Sequence, residues 1–357
     1  MQRVAVPPDS PSVSGSYAQA LDEFLGSCGL PDGGRAAHGM TGARIAGVAL
    51  GDSLVDGGRV VGDPMLGIRF GTRVGCAGFG LLGIAATTAT TLADAVRHLQ
   101  RFESLTSTLG HVRVRRAGTS VTLAWRAAQP VAPAVVEGIL AGWVSFGRFL
   151  LGEHVAVRCL DFEHARGAAT SAYEQLLQCP VRFAAAETSV TVGADLLDAR
   201  PRFADARVNR AIGTWLDGCT AAVAAPAQRH ATRRVAHLLA TSLALDDVDE
   251  RRVATALGVG PRTLQRRLAS EGTSFRALLD AARAQHAVVA LLHGNTRLAQ
   301  LGADIGFREQ SSLCRAVRRW TGYAPLPLKA QLAPLFQYLR PAADEPPEVG
   351  AFLSHPT

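Results

Sequence analysis

The spacing of apolar positions divides the chain into a mixed first stretch and a purely helical second one. Apolar residues recur at helical spacing from Tyr17 to Cys28, and again in Thr91–Leu105, where Leu92, Ala95, Val96, Leu99 and Phe102 follow three- and four-residue steps. Thr91 and Asp94 open that second segment with the spacing of a capping box. Period-two alternation takes over in His111–Arg115 and Val121–Trp125, and Gly118 and Thr119 between them predict a hairpin. A helix is predicted over Pro133–Leu151, a strand over Val155–Phe162, and a short strand pair from Val181–Phe183 and Ser189–Val192. Beyond the alanine-rich, proline-interrupted Ala221–Gln228, strand patterns stop and helical periodicity runs to about Leu332. The expected fold class is multidomain, with an α+β domain at 17–220, a linker at 221–231 and an all-α domain at 232–332. The proline- and serine-rich 1–16 and the proline- and acid-rich 341–357 are expected to be disordered.

Composition narrows the class. A chain of 357 residues exceeds one ordinary core and suits two. No run of about eighteen apolar residues is read in it and no signal-peptide core precedes Ser16, so a cytoplasmic protein without a membrane span is expected. Cys28, Cys76, Cys159, Cys179, Cys219 and Cys314 are scattered, without a CxxC or clustered histidines. That spacing suits buried thiols in a reducing compartment and implies neither a metal site nor a cofactor. Charge is more informative. Residues 231–330 hold 15 basic and 8 acidic side chains, while the rest of the chain holds 22 of each, so the whole formal net charge of +7 lies in the helical segment. An imbalance confined to one domain points to a polyanionic partner.

Two parts of that segment share one logic. Val253–Leu257 is a short apolar-faced helix closed by Gly258, a residue that accepts the left-handed turn of a tight helix corner. A second helix starts at Pro261; Leu264 and Leu268 share its inward face, and Arg262, Gln265 and Arg266 its outward one. Arginine and glutamine both make bidentate hydrogen bonds to base edges in the major groove. The second copy runs from Leu298 to Ile305, turns at Gly306, and continues as a helix over Glu309–Trp320. Leu313, Ala316, Val317 and Trp320 form its buried stripe, leaving Gln310, Ser311, Cys314 and Arg315 on the other face. A long helix from Phe275 to His293 lies between the copies and is placed to pack against both. Two such helix-turn-helix units predict binding to double-stranded DNA, with two reading helices in major grooves about 34–36 Å apart.

Ala256–Leu268, Glu271–Phe275, Ala303–Phe307 and Arg315–Gly322 closely resemble the AraC/XylS family of regulators. The resemblance implies that Arg262, Thr263, Gln265 and Arg266 on the first reading helix, and Gln310, Ser311, Cys314 and Arg315 on the second, contact bases. It also implies a bacterial transcription regulator, more often an activator than a repressor, that touches RNA polymerase. The chain departs from the family in having Leu313 and Val317 where phenylalanines are usual, and Pro325-Leu-Pro-Leu-Lys329 where the last helix has another pattern. Asp63–Gly71, Gly78–Gly83, Thr91–Ala95 and Tyr173–Phe183 resemble the arabinose-binding-like effector domain of one branch of that family. This implies an unidentified small-molecule effector bound at 17–220, and leaves a homodimer through that domain open.

Two motifs compete with this reading. Gly78-x-Gly80-x-x-Gly83, with Glu103 downstream, matches a dinucleotide fingerprint, but no hydrophobic strand precedes it, so a glycine-rich corner is expected instead. Gly51-Asp-Ser-Leu-Val-Asp56 resembles the first block of GDSL esterases, and Asp161-Phe-Glu-His164 offers an acid–histidine pair. The oxyanion asparagine is missing, since Asn209 and Asn295 are the chain's asparagines, so Asp52 and Ser53 are expected to form a helix cap or turn and the chain not to be an enzyme. An esterase and a non-specific DNA binder remain as alternatives. His111, His154 and His164 are expected to be partly exposed strand-end side chains, and the tryptophans core anchors.

Overall fold

The structure, a computed structural model, describes residues 11–30, 45–75, 78–152, 155–165, 168–206, 208–210, 212–213, 216, 230–240, 245–246, 248–292 and 297–330. Strand β1 (Ser12–Val13) pairs antiparallel with β2 (Ile45–Ala46), and Ser14 caps α1 (Gly15–Ser27) by accepting from the Tyr17 backbone N–H. Residues 11–16, expected within a disordered lead-in, are therefore built into the fold: Val13 is buried in the core and the Ser14 N–H donates to the Thr106 carbonyl.

Three helices follow: α2 (Gly47–Val61), α3 (Leu66–Arg73) and α4 (Gly80–Thr87). Helix α5 (Leu92–Thr106) begins with the expected capping box, Thr91 and Asp94 exchanging side-chain and backbone bonds. A five-stranded sheet has the order β3 (Gly110–Ala117), β4 (Ser120–Ala127), β7 (Ser189–Gly193), β5 (Val157–Asp161) and β6 (Val181–Arg182). All its pairings are antiparallel except β5 with β6. The expected strand pair at 181–192 is corrected here: β6 and β7 flank β5 on opposite sides instead of pairing with each other. Helix α6 (Pro133–Leu151) connects β4 to β5, and α7 (Thr170–Leu177) connects β5 to β6.

Helix α6 is long and apolar enough by length and composition to cross a membrane, although Glu137 and Arg148 break its apolar run. Half of it is buried, and it serves as the core helix of the first domain. Helix α3 lies on it backbone to backbone. A Cβ on Gly67 would overlap the Ala134 carbonyl, and one on Gly71 the Gly138 carbonyl. The Asp63–Gly71 motif thus has a packing meaning, its two glycines forming the face that meets α6. At its start Asp63 accepts from the Met65 N–H at 2.9 Å and from Arg69 Nε at 2.8 Å.

From residue 230 to 330 the described residues are helical or in turns and loops. The helices are α8 (His230–Ala240), α9 (Glu250–Ala256), α10 (Pro261–Ser270), α11 (Phe275–Leu292), α12 (Leu298–Asp304) and α13 (Gln310–Thr321), followed by a helical segment at 325–330. The linker expected at 221–231 and the tail at 341–357 lie outside the described residues, apart from His230 and Ala231 in α8. The architecture is an α+β domain followed by an all-α region with two helix-turn-helix units.

Candidate DNA interface and effector cavity

Each helix-turn-helix corner follows from its glycine. Gly258 (φ +68°) and Gly306 (φ +80°) both occupy the left-handed region that disfavours a side chain. At Gly306 a Cβ would also press on the Leu245 carbonyl at 2.9 Å, so that corner is closed sterically as well. Pro261 sits in the first turn of α10, where its missing N–H costs nothing. Asp249 caps α9 by accepting from the Arg252 N–H at 2.7 Å.

The two reading helices share one register of buried positions. Leu264 and Leu313 are the fourth residues of α10 and α13, and Leu268 and Val317 the eighth; all four are buried. Leu313 and Val317, which replace the phenylalanines usual in the family, are fully enclosed. Arg262, Gln265, Arg266, Gln310, Ser311 and Arg315 are exposed, while Thr263 and Cys314 are half-buried. Gln265 Nε2 donates to Glu250 Oε2 at 2.9 Å, and Arg315 donates to Ser312 Oγ at 3.1 Å, so both lean on neighbours in the free protein. Trp320, expected in the buried stripe, is half-buried at its edge. Its indole N–H donates to Asp280 Oδ2 at 3.0 Å, a polar demand that keeps it at the rim.

Helix α11 serves both units, as its pattern predicts. Leu278 and Ala282 enter the core of the first unit with Val235, Val253, Leu264 and Leu268. Ala287, Val288 and Leu291 enter the core of the second with Leu301, Ile305, Leu313, Val317 and Leu328. Leu328 shows that the atypical Pro325–Lys329 segment still anchors its end. One tie had no sequence signal beyond family resemblance: the Glu271 carboxylate accepts from the Ala231 and Thr232 N–H groups at 3.0 and 2.7 Å, joining the end of α10 to the start of α8.

The second unit's core does not stop at the helical region. The same apolar cluster contains Leu82, Ile84 and Ala85 of α4, Phe102 of α5, and Val208, Ile212 and Leu216. The first unit's core contains residues of the helical region alone. One polar bond crosses the same boundary, and two more brace its first-domain side. Tyr323 Oη donates to Asp205 Oδ2 at 3.4 Å, the Asp205 N–H donates to the Thr88 carbonyl at 3.0 Å, and Asn209 Nδ2 donates to the Ala85 carbonyl at 2.7 Å.

Against α4 lies a cavity of about 110 Å³, lined from α4, α5, α6 and the sheet. Every residue lining it is glycine, alanine, valine, leucine, phenylalanine or Trp143. A second space of about 50 Å³ adjoins it across Phe79, Leu82, Leu99 and Trp143, and adds Glu103, Thr106 and Ser107.

The competing motifs resolve locally. Gly78 and Gly80 form the turn that opens α4 after helix α3, not after a strand, and Gly83 faces the cavity. Glu103 binds the Val112 N–H and His111 Nδ1, each at 2.9 Å, and so ties α5 to β3. Asp52 and Ser53 form neither cap nor turn; they lie inside α2, whose first turn follows Ala46. His111 is exposed at its strand, as expected, and His154 lies outside the described residues. His164 is partly exposed just past the end of β5, as expected; its Nδ1 meets the Ala165 carbonyl at 2.8 Å and its Nε2 lies 3.8 Å from Glu137 Oε1. Glu137 is buried on α6 and accepts from Tyr173 Oη at 3.0 Å; burial pushes its carboxyl up to about 7. Of the described cysteines, Cys179 is buried and Cys28, Cys159 and Cys314 are half-buried, so the expectation of buried thiols holds for one of four.

A family model described as the arabinose-binding domain of AraC transcription regulator, N-term, matches residues 43–201, and a helix-turn-helix domain model matches 253–331. The chain is 30% identical to the uncharacterized HTH-type transcriptional regulator Mb1430 of Mycobacterium bovis, over 75% of this chain and 79% of that protein. It is 27% identical to the HTH-type transcriptional regulator VirS of Mycobacterium tuberculosis, over 75% of this chain and 79% of that one. It is also 26% identical to the ornithine utilization regulator of Pseudomonas aeruginosa, over 74% of this chain and 78% of that one.

Proposed function

The chain belongs to the AraC/XylS family of helix-turn-helix, DNA-binding transcription regulators, and from that premise we propose how its two halves share the work. Helices α10 and α13 read bases in adjacent major grooves, through Arg262, Thr263, Gln265 and Arg266 on the first and Gln310, Ser311, Cys314 and Arg315 on the second. The observation that carries this is the register of the two helices, with leucine or valine buried at their fourth and eighth residues and arginine exposed at the sixth. The basic charge confined to this region supplies the sequence-independent part of the affinity. Residues 17–220 form the effector domain, 221–231 the linker and 232–332 the DNA-binding domain. A small molecule held in the first domain modulates reading by the second, and the bound protein acts on RNA polymerase as an activator, in the cytoplasm.

Alanine variants of Arg266 and Arg315, assayed on a DNA site selected from random sequence, test the reading. Loss of discrimination at one base pair, worth about 1–3 kcal/mol, identifies a base contact. A uniform loss over all sequences, with a shallower salt dependence, identifies a phosphate contact and contradicts the assignment.

A further inference from the structure

Helix α4, with α5 beside it, stands between the cavity and the second helix-turn-helix unit. Leu82, Gly83 and Ala86 of α4 line the cavity, and Leu82, Ile84 and Ala85 of the same two turns sit in the core that holds Leu301, Ile305, Leu313 and Val317. Helix α5 repeats the arrangement, with Ala95, Val96 and Leu99 facing the cavity and Phe102 in the shared core. Packed interiors transmit displacement because they have little free volume. Whatever fills the cavity therefore bears first on the core that seats α12 and α13, and reaches α9 and α10 only through α11, whose first half enters their separate core.

The lining decides what fills it. Apart from the Trp143 indole it presents no side-chain donor or acceptor, so a sugar or an amino acid entering it would leave its hydroxyl, amino or carboxyl groups without partners. An apolar cavity of about 150 Å³ is known to admit benzene, and 110 Å³ is of that order. We infer that this cavity binds a small neutral apolar molecule, a single aromatic ring or a short aliphatic chain, and that its occupancy acts selectively on the second helix-turn-helix unit through α4. This deepens the effector reading above and departs from the sugar in the description of the matching domain model. Its consequence at DNA rests on that reading; binding itself does not.

Gly147 of α6 provides the test. It lines the cavity, and a Cβ built on it meets nothing within 4 Å, so a larger side chain there grows into empty space. The full chain is unfolded thermally with and without millimolar toluene, L-arabinose and L-ornithine. Toluene is expected to raise the wild-type midpoint and the two polar probes to leave it unchanged. Gly147→Leu is expected to raise the midpoint without toluene and to abolish the toluene increment, and Gly147→Ala to reduce it, which covers the case that leucine does not fold. Hydrogen exchange on the same DNA-free protein is expected to slow with toluene in 298–321 and to stay unchanged in 250–270. A toluene effect retained in full by the Gly147 variants, none in the wild type, or a shift with either polar probe overturns the ligand assignment. Equal slowing of both units, or of neither, overturns the coupling. Selective DNA binding without a toluene effect contradicts this inference alone, whereas a toluene effect without selective DNA binding contradicts the regulator reading alone.

Discussion

Arg266 and Arg315 are both sixth residues of their helices, two residues beyond, and so on the opposite side from, the buried fourth-residue leucines that fix which way each helix faces. Substituting either arginine should change specificity while leaving thermal stability within about 0.5 kcal/mol, because both are exposed. Equal unfolding midpoints alongside altered base preference would separate recognition from folding. Glu137 is the opposite case, a buried carboxyl whose value is pushed from 4.5 up to about 7 by burial, with Asp63 adding to the rise and the Tyr173 bond opposing it. Between those two values the folded protein binds more protons at this site than the unfolded chain, so stability falls as pH rises across that window and levels off above it. Glu137→Gln, which keeps a partner for Tyr173 without the charge, should remove about 2–3 kcal/mol of that decline. Denaturant unfolding at pH 5 and pH 8 measures it; a decline of unchanged size in the variant would contradict the assignment. His164 faces the same carboxyl at 3.8 Å, a proximity that an acid–histidine reading of the Asp161–His164 motif did not foresee.

At the scale of elements, pattern identified those that obey one period. Helix α5 with its capping box, the β3–β4 hairpin, α6 and both reading helices all stand where pattern placed them, because each has a local start or stop signal and either one apolar period or, in α6, a nearly unbroken apolar stretch. Thr91→Ala should cost about 1 kcal/mol, read as a lower midpoint with unchanged cooperativity. Helix α2 was hidden for a physical reason: Gly47, Gly51, Gly57 and Gly58 lower its propensity and read as loop, so an esterase-like motif in it looked like a turn. Its helicity comes from packing, since a Cβ on Gly57 would meet Leu66, Leu30 and Leu25 at 3.0–3.4 Å. Helix α3 was hidden likewise, its glycines being selected by the approach to α6. Gly71→Ala should therefore destabilise by about 1–3 kcal/mol, whereas Gly147→Ala, with open space beside it, should stabilise by about 0.5–1 kcal/mol. The pairing of β6 was beyond local pattern because a two-residue strand carries no periodicity; its parallel partner comes from the crossover through α7.

In the whole molecule, the reading residues were visible one by one in the sequence, but the asymmetry between the two units was not. Leu82, Ile84, Ala85, Phe102, Val208, Ile212 and Leu216 look like any core positions, and only the folded chain shows that they share a core with α12 and α13. The cavity was invisible for the same reason, since lining and core residues are chemically alike. The basic charge, by contrast, could be counted directly, and it lies in the region that carries both helix-turn-helix units. The central claim is that these units read sequence as well as charge. It is tested most directly by binding of the full chain to its own upstream DNA against scrambled competitor, at fixed salt near 0.15 M. A preference of about a thousandfold or more is the expected result, and it should weaken at separate base pairs in Arg266→Ala and Arg315→Ala. Equal affinity for the upstream DNA and the competitor, with random-sequence selection enriching no site, would contradict it and leave a non-specific binder.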